Sequence, residues 1–241
     1  MTGLSENPVQ WTHDPNSDKY CGMDRPMGSP GPENENARSV FCCPNCRGSI
    51  QIPDPVEEFV CNQCSFLIRM VDSIPILIKD IQFIEKTIQL EKQKGKTDWY
   101  EGLQSKQWEG PYRHHLKKRR EYLDGIIMQY SADHSPRIAL DLGCGDGNNL
   151  RWLGQYVPHL YASDYNLTRL RRAAQISRGI RLFMADITDY PVDDNSFDII
   201  FFNHVLEHIR EDETALAEVY RVLRPGGLLI LGVPNGMCQV Q

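Results

Sequence analysis

Two groups of residues in this 241-residue chain have the types and spacing to do chemistry. The first is a glycine loop with acids, Asp141-Leu-Gly143-Cys144-Gly145-Asp146-Gly147. The apolar run Ile138 to Leu140 leads into it and fits a buried parallel strand. The glycines permit a tight turn and close approach of backbone to a ligand. A helix beginning near Asn148 would aim its N-terminal amides at that ligand. This pattern predicts a nucleotide-type pocket at the carboxyl end of a first strand. The second group is Cys43-Pro-Asn-Cys46 and Cys61-Asn-Gln-Cys64, two C-x-x-C turns separated by residues 47–60. That spacing suits a tetrahedral zinc site. A module this small buries little surface, so the metal would supply the folding free energy. Cys42 is an alternative first ligand to Cys43, although Cys43 before Pro44 fits better.

A dinucleotide fingerprint needs G-x-G-x-x-G. Here the third glycine arrives one residue early, at Gly147, and the pattern is D-x-G-x-G-x-G. Four further features follow in order: Ala162-Ser-Asp164, an acid ending a strand; Phe183-Met-Ala-Asp186-Ile187, an acid after a third strand; Phe197 to Ile209, a fourth strand and its exit; and Arg221 to Gly227 before a fifth strand. With the glycine loop, they make the chain resemble the class I S-adenosylmethionine (SAM)-dependent methyltransferases of the ubiquinone-biosynthesis-like group, over roughly residues 136 to 235. The implied fold is α/β, a Rossmann-like sheet.

Asp164 lies about 20 residues past the glycines, where a carboxylate accepts ribose hydroxyls; Tyr165 stands beside it. The resemblance places Asp186 against the adenine amino group, the Ile187 backbone on a ring nitrogen, and Asp141, with Gly143, Cys144 and Gly145, at the methionine end. It also gives Asn203 and His204 contact with the methionine end. The exit of the fourth strand is then where the methyl group emerges. His208 is the candidate general base, since its titration range suits proton removal near neutrality, and Glu207 is the alternate. Each has a structural counterpart reading: a turn or cap carboxylate, a capping or core histidine. The cysteine region resembles the Trm112-like zinc ribbons, which run C-P-x-C, C-x-x-C and then a segment ending I-P-x-L, matched here by Val71 to Ile78.

These elements divide the chain into a disordered tail at 1–39, rich in Pro, Gly, Asn and Ser, a zinc ribbon at 40–79, a helical linker or cofactor lid at 80–130, and a SAM-binding core at 131–241. In the third segment, Ile81, Ile84 and Ile88 form one apolar stripe that ends near Gly95. Trp99, Tyr100, Trp108 and Tyr112 then precede a second helix, and the Lys117 to Arg120 run reads as a solvated helix face. In the core, a helix near 211–223 would place Leu216, Val219, Tyr220 and Leu223 on one face. Class I enzymes usually add two more strands after the fifth. Their lack here is expected to mean either a truncated product or a sheet edge completed by a second copy or a partner, since an open edge invites aggregation.

Hydrophobic residues at 41% and charged residues at 24% fit a globular chain, and a net charge of −6 gives no global attraction to nucleic acid. No apolar run reaches the ~20 residues of a membrane span. The eight cysteines suit a reducing cytoplasm, where clusters bind metal. The leading function is methyl transfer from SAM to a small-molecule acceptor through oxygen, carbon or nitrogen. RNA methylation is the first alternative, supported by Lys117–Arg120 and by Arg169, Arg171, Arg172, Arg178 and Arg181. A non-catalytic scaffold that binds SAM or a partner is the second, and a dehydrogenase is a distant third. Expected cofactors are SAM and Zn2+.

Overall fold

The short runs of β-branched and aromatic residues form strands, and the segments with apolar residues at helical spacing form helices. The computed structural model describes residues 39–53, 57–97, 113–176 and 179–234. The tail before Ser39, the aromatics Trp99, Tyr100, Trp108 and Tyr112, Arg178 and Cys238 lie outside the described residues. The strands are β1 (Glu58–Val60), β2 (Leu67–Val71), β3 (Ile74–Leu77), β4 (Ile138–Leu142), β5 (His159–Asp164), β6 (Arg181–Ala185), β7 (Phe197–Asn203) and β8 (Leu223–Gly232). The helices are α1 (Ile81–Glu91), α2 (Arg113–His134), α3 (Leu150–Leu153), α4 (Leu167–Ile176) and α5 (Asp212–Val222).

All eight strands join one sheet in the order β1-β2-β3-β6-β5-β4-β7-β8. From β6 to β8 the neighbours run parallel. The chain lays down β4, β5 and β6 in one direction, then returns to place β7 and β8 on the other side of β4. The order therefore reverses between β4 and β7, and open α/β sheets bind ligands at such a switch point, outside the carboxyl ends of the strands. Among the described residues no strand lies beyond β8, so its outer edge is unpaired.

Alternation along the central strands feeds two cores, one on each face. Leu140, Tyr161, Phe183 and Phe202 pack with Val40, Phe41 and the α5 residues Val219 and Val222. Ala139, Ala162, Met184 and Phe201 pack with Ile127 of α2, Leu150 and Leu153 of α3, and Leu170 and Ala173 of α4. At ~25 cal/mol per Å2 of apolar surface, each such buried side chain contributes roughly 1.5–3 kcal/mol before conformational entropy is charged against it.

Several expectations need correction. The apolar segment after the cysteine turns is not confined to them: β3 pairs in parallel with β6, Ile76 against Met184 and Leu77 against Ala185. β1 and β2 extend the sheet further, antiparallel. The helix after the glycine loop starts at Leu150, with Asn149 as its N-cap, and is only a single turn. On α5 the inward residues are Ala215, Val219 and Val222, whereas Tyr220 is 84% exposed. Arg119 and Arg120 do not sit on a solvated face. Burial lowers the pKa of both guanidiniums, and Arg120 stacks over the Trp152 ring at 4.0 Å.

Candidate functional site

The acids read from the sequence come together at the carboxyl ends of three adjacent parallel strands. Asp141 is in β4, Asp164 ends β5, and Asp186 follows β6. The glycine loop lies over them. Gly143, Gly145 and Gly147 have φ of +73°, +55° and +83°, a region that L side chains rarely adopt. A Cβ at Gly143 would lie 2.4 Å from a methyl of Val205, so the loop packs directly on the exit of β7.

The loop amides are already engaged within the chain. Gly143 N and Cys144 N both donate to Ser163 O at 2.9 Å. Gly145 N donates to Asp164 Oδ2 at 2.9 Å, and Asn166 N donates to Oδ1 at 2.8 Å. These three loop amides therefore contribute to the loop's shape, with carboxylates as the polar groups beneath it. Asp164 is 8% exposed, and each of its oxygens keeps a second lone pair for a hydroxyl. Burial raises its pKa, against Arg169 and the two amides. Tyr165 is half-buried beside it.

Asp141 is 2% exposed, and its Oδ2 has no hydrogen-bond partner. Burial and then the charge of Asp164 push its pKa up to about 7, while Arg120 pulls it down. An orphaned buried carboxylate oxygen is costly, and a cationic ligand end would satisfy it. Asp146 is instead tied into the structure, 3.4 Å from Arg169 Nε and 3.6 Å from Arg172. Cys144 is buried and burial holds its thiol protonated, so it is no nucleophile. Asp186 caps the turn Ile187–Asp189: Thr188 N and Thr188 Oγ1 donate to its Oδ1 at 2.9 and 2.8 Å. Both of these bonds go to Oδ1 and neither to Oδ2.

At the exit of β7, Asn203 Oδ1 accepts from Arg119. His204, at φ +56°, bonds through its backbone N to Gly232 O at 2.8 Å. Its ring lies between Arg119 at 3.5 Å and Glu207 Oε1 at 3.4 Å. Glu207 Oε1 is also 3.8 Å from His208 Nε2, and His208 is 38% exposed. The structure thus gathers Asn203, His204, Glu207 and His208 in one array. Arg119 joins it, a residue that sequence reasoning missed because helical spacing does not show which arginine in a basic run turns inward.

The four cysteines form a second constellation, with all Sγ atoms within 4.8 Å of one another. Cys43 Sγ is 3.6 Å from Cys64 Sγ, and Cys46 Sγ is 3.7 Å from Cys61 Sγ. Zinc–sulfur bonds of about 2.3 Å at tetrahedral angles require sulfur–sulfur edges of roughly 3.8 Å. The two turns are alike. In each, the amide of the second following residue points at the first sulfur, Asn45 N at Cys43 and Gln63 N at Cys61, both at 3.4 Å. Each turn closes through a residue of positive φ, Arg47 and Ser65, whose amide donates to the carbonyl of the first cysteine. Cys42 points away, and its thiol donates to Asp193 Oδ1 at 3.0 Å.

Comparison with known proteins agrees with the region of this first site. A family model described as a methyltransferase domain matches residues 140–231. An uncharacterized 37.1 kDa protein in transposon TN4556 of Streptomyces fradiae is 36% identical over 116 residues, 45% of this chain and 34% of that protein. A malonyl-[acyl-carrier protein] O-methyltransferase of Pseudescherichia vulneris is 29% identical, over 48% of this chain and 46% of the relative. A SAM-bound amino pentose methyltransferase from Micromonospora echinaspora is similar at 22% identity and a TM-score of 0.43, covering 51% of this chain and 56% of that one. The chain spans 34% to 48% of the length of the first curated relatives it matches. Residues 140–231 are thus similar to a methyltransferase domain.

Proposed function

We propose that this chain transfers a methyl group from SAM to a small-molecule acceptor, and that its four cysteines hold a structural zinc ion. The observation that carries the reading is the row of Asp141, Asp164 and Asp186 at the carboxyl ends of β4, β5 and β6, under a loop of three positive-φ glycines. In this reading Asp164, with Tyr165 beside it, takes the ribose, and Asp186 and the Ile187 backbone take the adenine. Asp141, the Gly143–Cys144–Gly145 loop, Asn203 and His204 surround the methionine end. When bound, SAM supplies a methyl group activated by its positive sulfur. The chain's own work is alignment and exclusion of water. His208, with Glu207 against it, stands where an acceptor proton would be taken, if the acceptor is a hydroxyl or an acidic carbon.

The acceptor side favours a small molecule over RNA. Of the arginines read as a basic cluster, Arg169 and Arg172 face Asp146, Arg171 pairs with Asp72 at 2.6 Å, and Arg181 bonds Tyr161 at 2.6 Å. Arg119 and Arg120 turn toward Asn203 and Trp152. Guanidiniums engaged in this way are not offered to phosphates. The similar relative named as an O-methyltransferase acts on malonyl-acyl-carrier protein, which accords with a non-nucleic acceptor. No helix among the described residues is long and apolar enough to cross a membrane. The unpaired edge of β8 is where a second copy or a partner would add a strand.

The test is an acceptor screen with methyl-labelled SAM against pooled small metabolites and against RNA. Label in a small-molecule fraction supports the proposal. Label in RNA alone, with binding that falls steeply with salt, would replace it.

A further inference from the structure

The first cysteine turn touches the segment on which the proposed adenine contacts are carried. Arg47 directly follows Cys46, and its backbone is fixed by the turn through Arg47 N to Cys43 O at 2.9 Å. Its guanidinium donates to Tyr190 O and to Asp189 Oδ1, and lies 4.0 Å from Glu218 Oε2. Asp189 and Tyr190 end the single turn, Ile187–Asp189, that Asp186 caps.

The ribbon grips the same segment at further points. Cys42 N donates to Pro191 O at 2.9 Å, Asp193 N donates to Val40 O at 2.8 Å, and Phe41 bridges Val192. On the other side of Asp186, Leu77 of β3 stands in register with Ala185. Residues 185–193 are thus held from before and after Asp186 by the chain that carries the cysteines. α5 holds them from the far side, with Glu218 Oε2 accepting from Tyr190 N at 2.9 Å. Glu218 and Arg221 face Arg47 there, and Arg221 shares Tyr190 O at 2.8 Å.

We propose that the cysteine-bound metal is a working part of the cofactor site. By fixing the Cys43–Arg47 turn it places Arg47, and Arg47 as a positioning residue sets the turn that presents Asp186 and Ile187 to adenine. This rests on the SAM and zinc readings above. Coupling of this kind is reciprocal: whatever factor the metal adds to cofactor affinity, the cofactor adds to metal affinity.

The experiment measures S-adenosylhomocysteine (SAH) and adenosine binding by calorimetry. It uses the full chain as the zinc-loaded protein, the zinc-stripped protein, and zinc-loaded Arg47→Gln and Arg47→Lys. Zinc release to a chromogenic chelator is followed with and without SAH. Zinc removal is expected to weaken SAH and adenosine alike by about tenfold, within the usual range of coupling between sites. Arg47→Gln should keep its zinc yet weaken both by a similar factor, and Arg47→Lys should recover part of the loss. SAH should slow zinc release from wild type and not from Arg47→Gln. If the stripped protein unfolds, the zinc-loaded variants decide the matter alone. Zinc-loaded Arg47→Gln with wild-type affinity and wild-type protection of zinc by SAH overturns the proposal and leaves the methyltransferase reading standing. Zinc-loaded wild type that binds neither SAH nor adenosine overturns the cofactor reading itself, and the coupling with it. A chain that takes up no zinc overturns the metal reading.

Discussion

Asp141 should make cofactor binding depend on pH near neutrality, and the size of the effect can be worked out. Its carboxyl is 2% exposed, has an unpartnered Oδ2, and has its pKa pushed up to about 7 by burial and then by Asp164. At pH 6 roughly nine in ten molecules carry the proton, and at pH 8 roughly nine in ten do not. If the α-ammonium of the amino-acid end needs the carboxylate, SAH should bind about tenfold more weakly at pH 6 than at pH 8. Adenosine lacks that end and should show no such change. Asp141→Asn should flatten the SAH profile.

The same carboxyl bears on stability without ligand, with the opposite direction. Its folded pKa lies above the 3.8 of an ordinary aspartate, so the stability it contributes is full below 3.8 and is lost as pH rises through about 7. Ionising it costs the free protein on the order of 4 kcal/mol. Asp141→Asn should therefore raise the melting temperature at pH 8 and leave it nearly unchanged at pH 4. Calorimetric titration from pH 6 to 8.5 checks the binding limb. An SAH affinity that stays flat in wild type, or a slope that survives in Asp141→Asn, would refute the assignment.

Three other outcomes are expected. Gly143→Ala forces a side chain to φ +73° and into Val205, so it should cost at least about 1–3 kcal/mol of stability and abolish SAH binding, read by thermal melts and calorimetry. Asp164→Ala should weaken SAH by a few kcal/mol as it strands the ribose hydroxyls and two backbone amides; an unchanged Kd would remove the ribose assignment. Cys61→Ser should release zinc, and hydrogen exchange should rise in β6 as well as in residues 40–79, because β3 pairs with β6.

The strands from β4 to β8 were legible because each is a short apolar run ending in an acid or a turn, and local pattern is enough for that. The C-x-x-C turns were legible from spacing alone. What sequence could not show was where Ile74–Leu77 goes. A buried apolar run reads the same whether it packs on the cysteine turns or pairs with a distant strand, and Ile76 finds Met184 far along the chain. Arg47 was hidden for the same reason: its partners Asp189 and Tyr190 are distant in sequence. On α5, Tyr220 fits the helical period but points outward, since Ala215, Val219 and Val222 already fill the inward stripe. The sequence shows the glycine loop, but not that the amides of Gly143, Cys144 and Gly145 are committed to Ser163 and Asp164, a detail that depends on how closely β4 and β5 approach.

The most direct test of the central claim is calorimetric titration of the zinc-loaded chain with SAM and with SAH. Micromolar binding of both, lost in Gly143→Ala, is the predicted result. No heat with either ligand from a folded, zinc-containing protein would contradict the account.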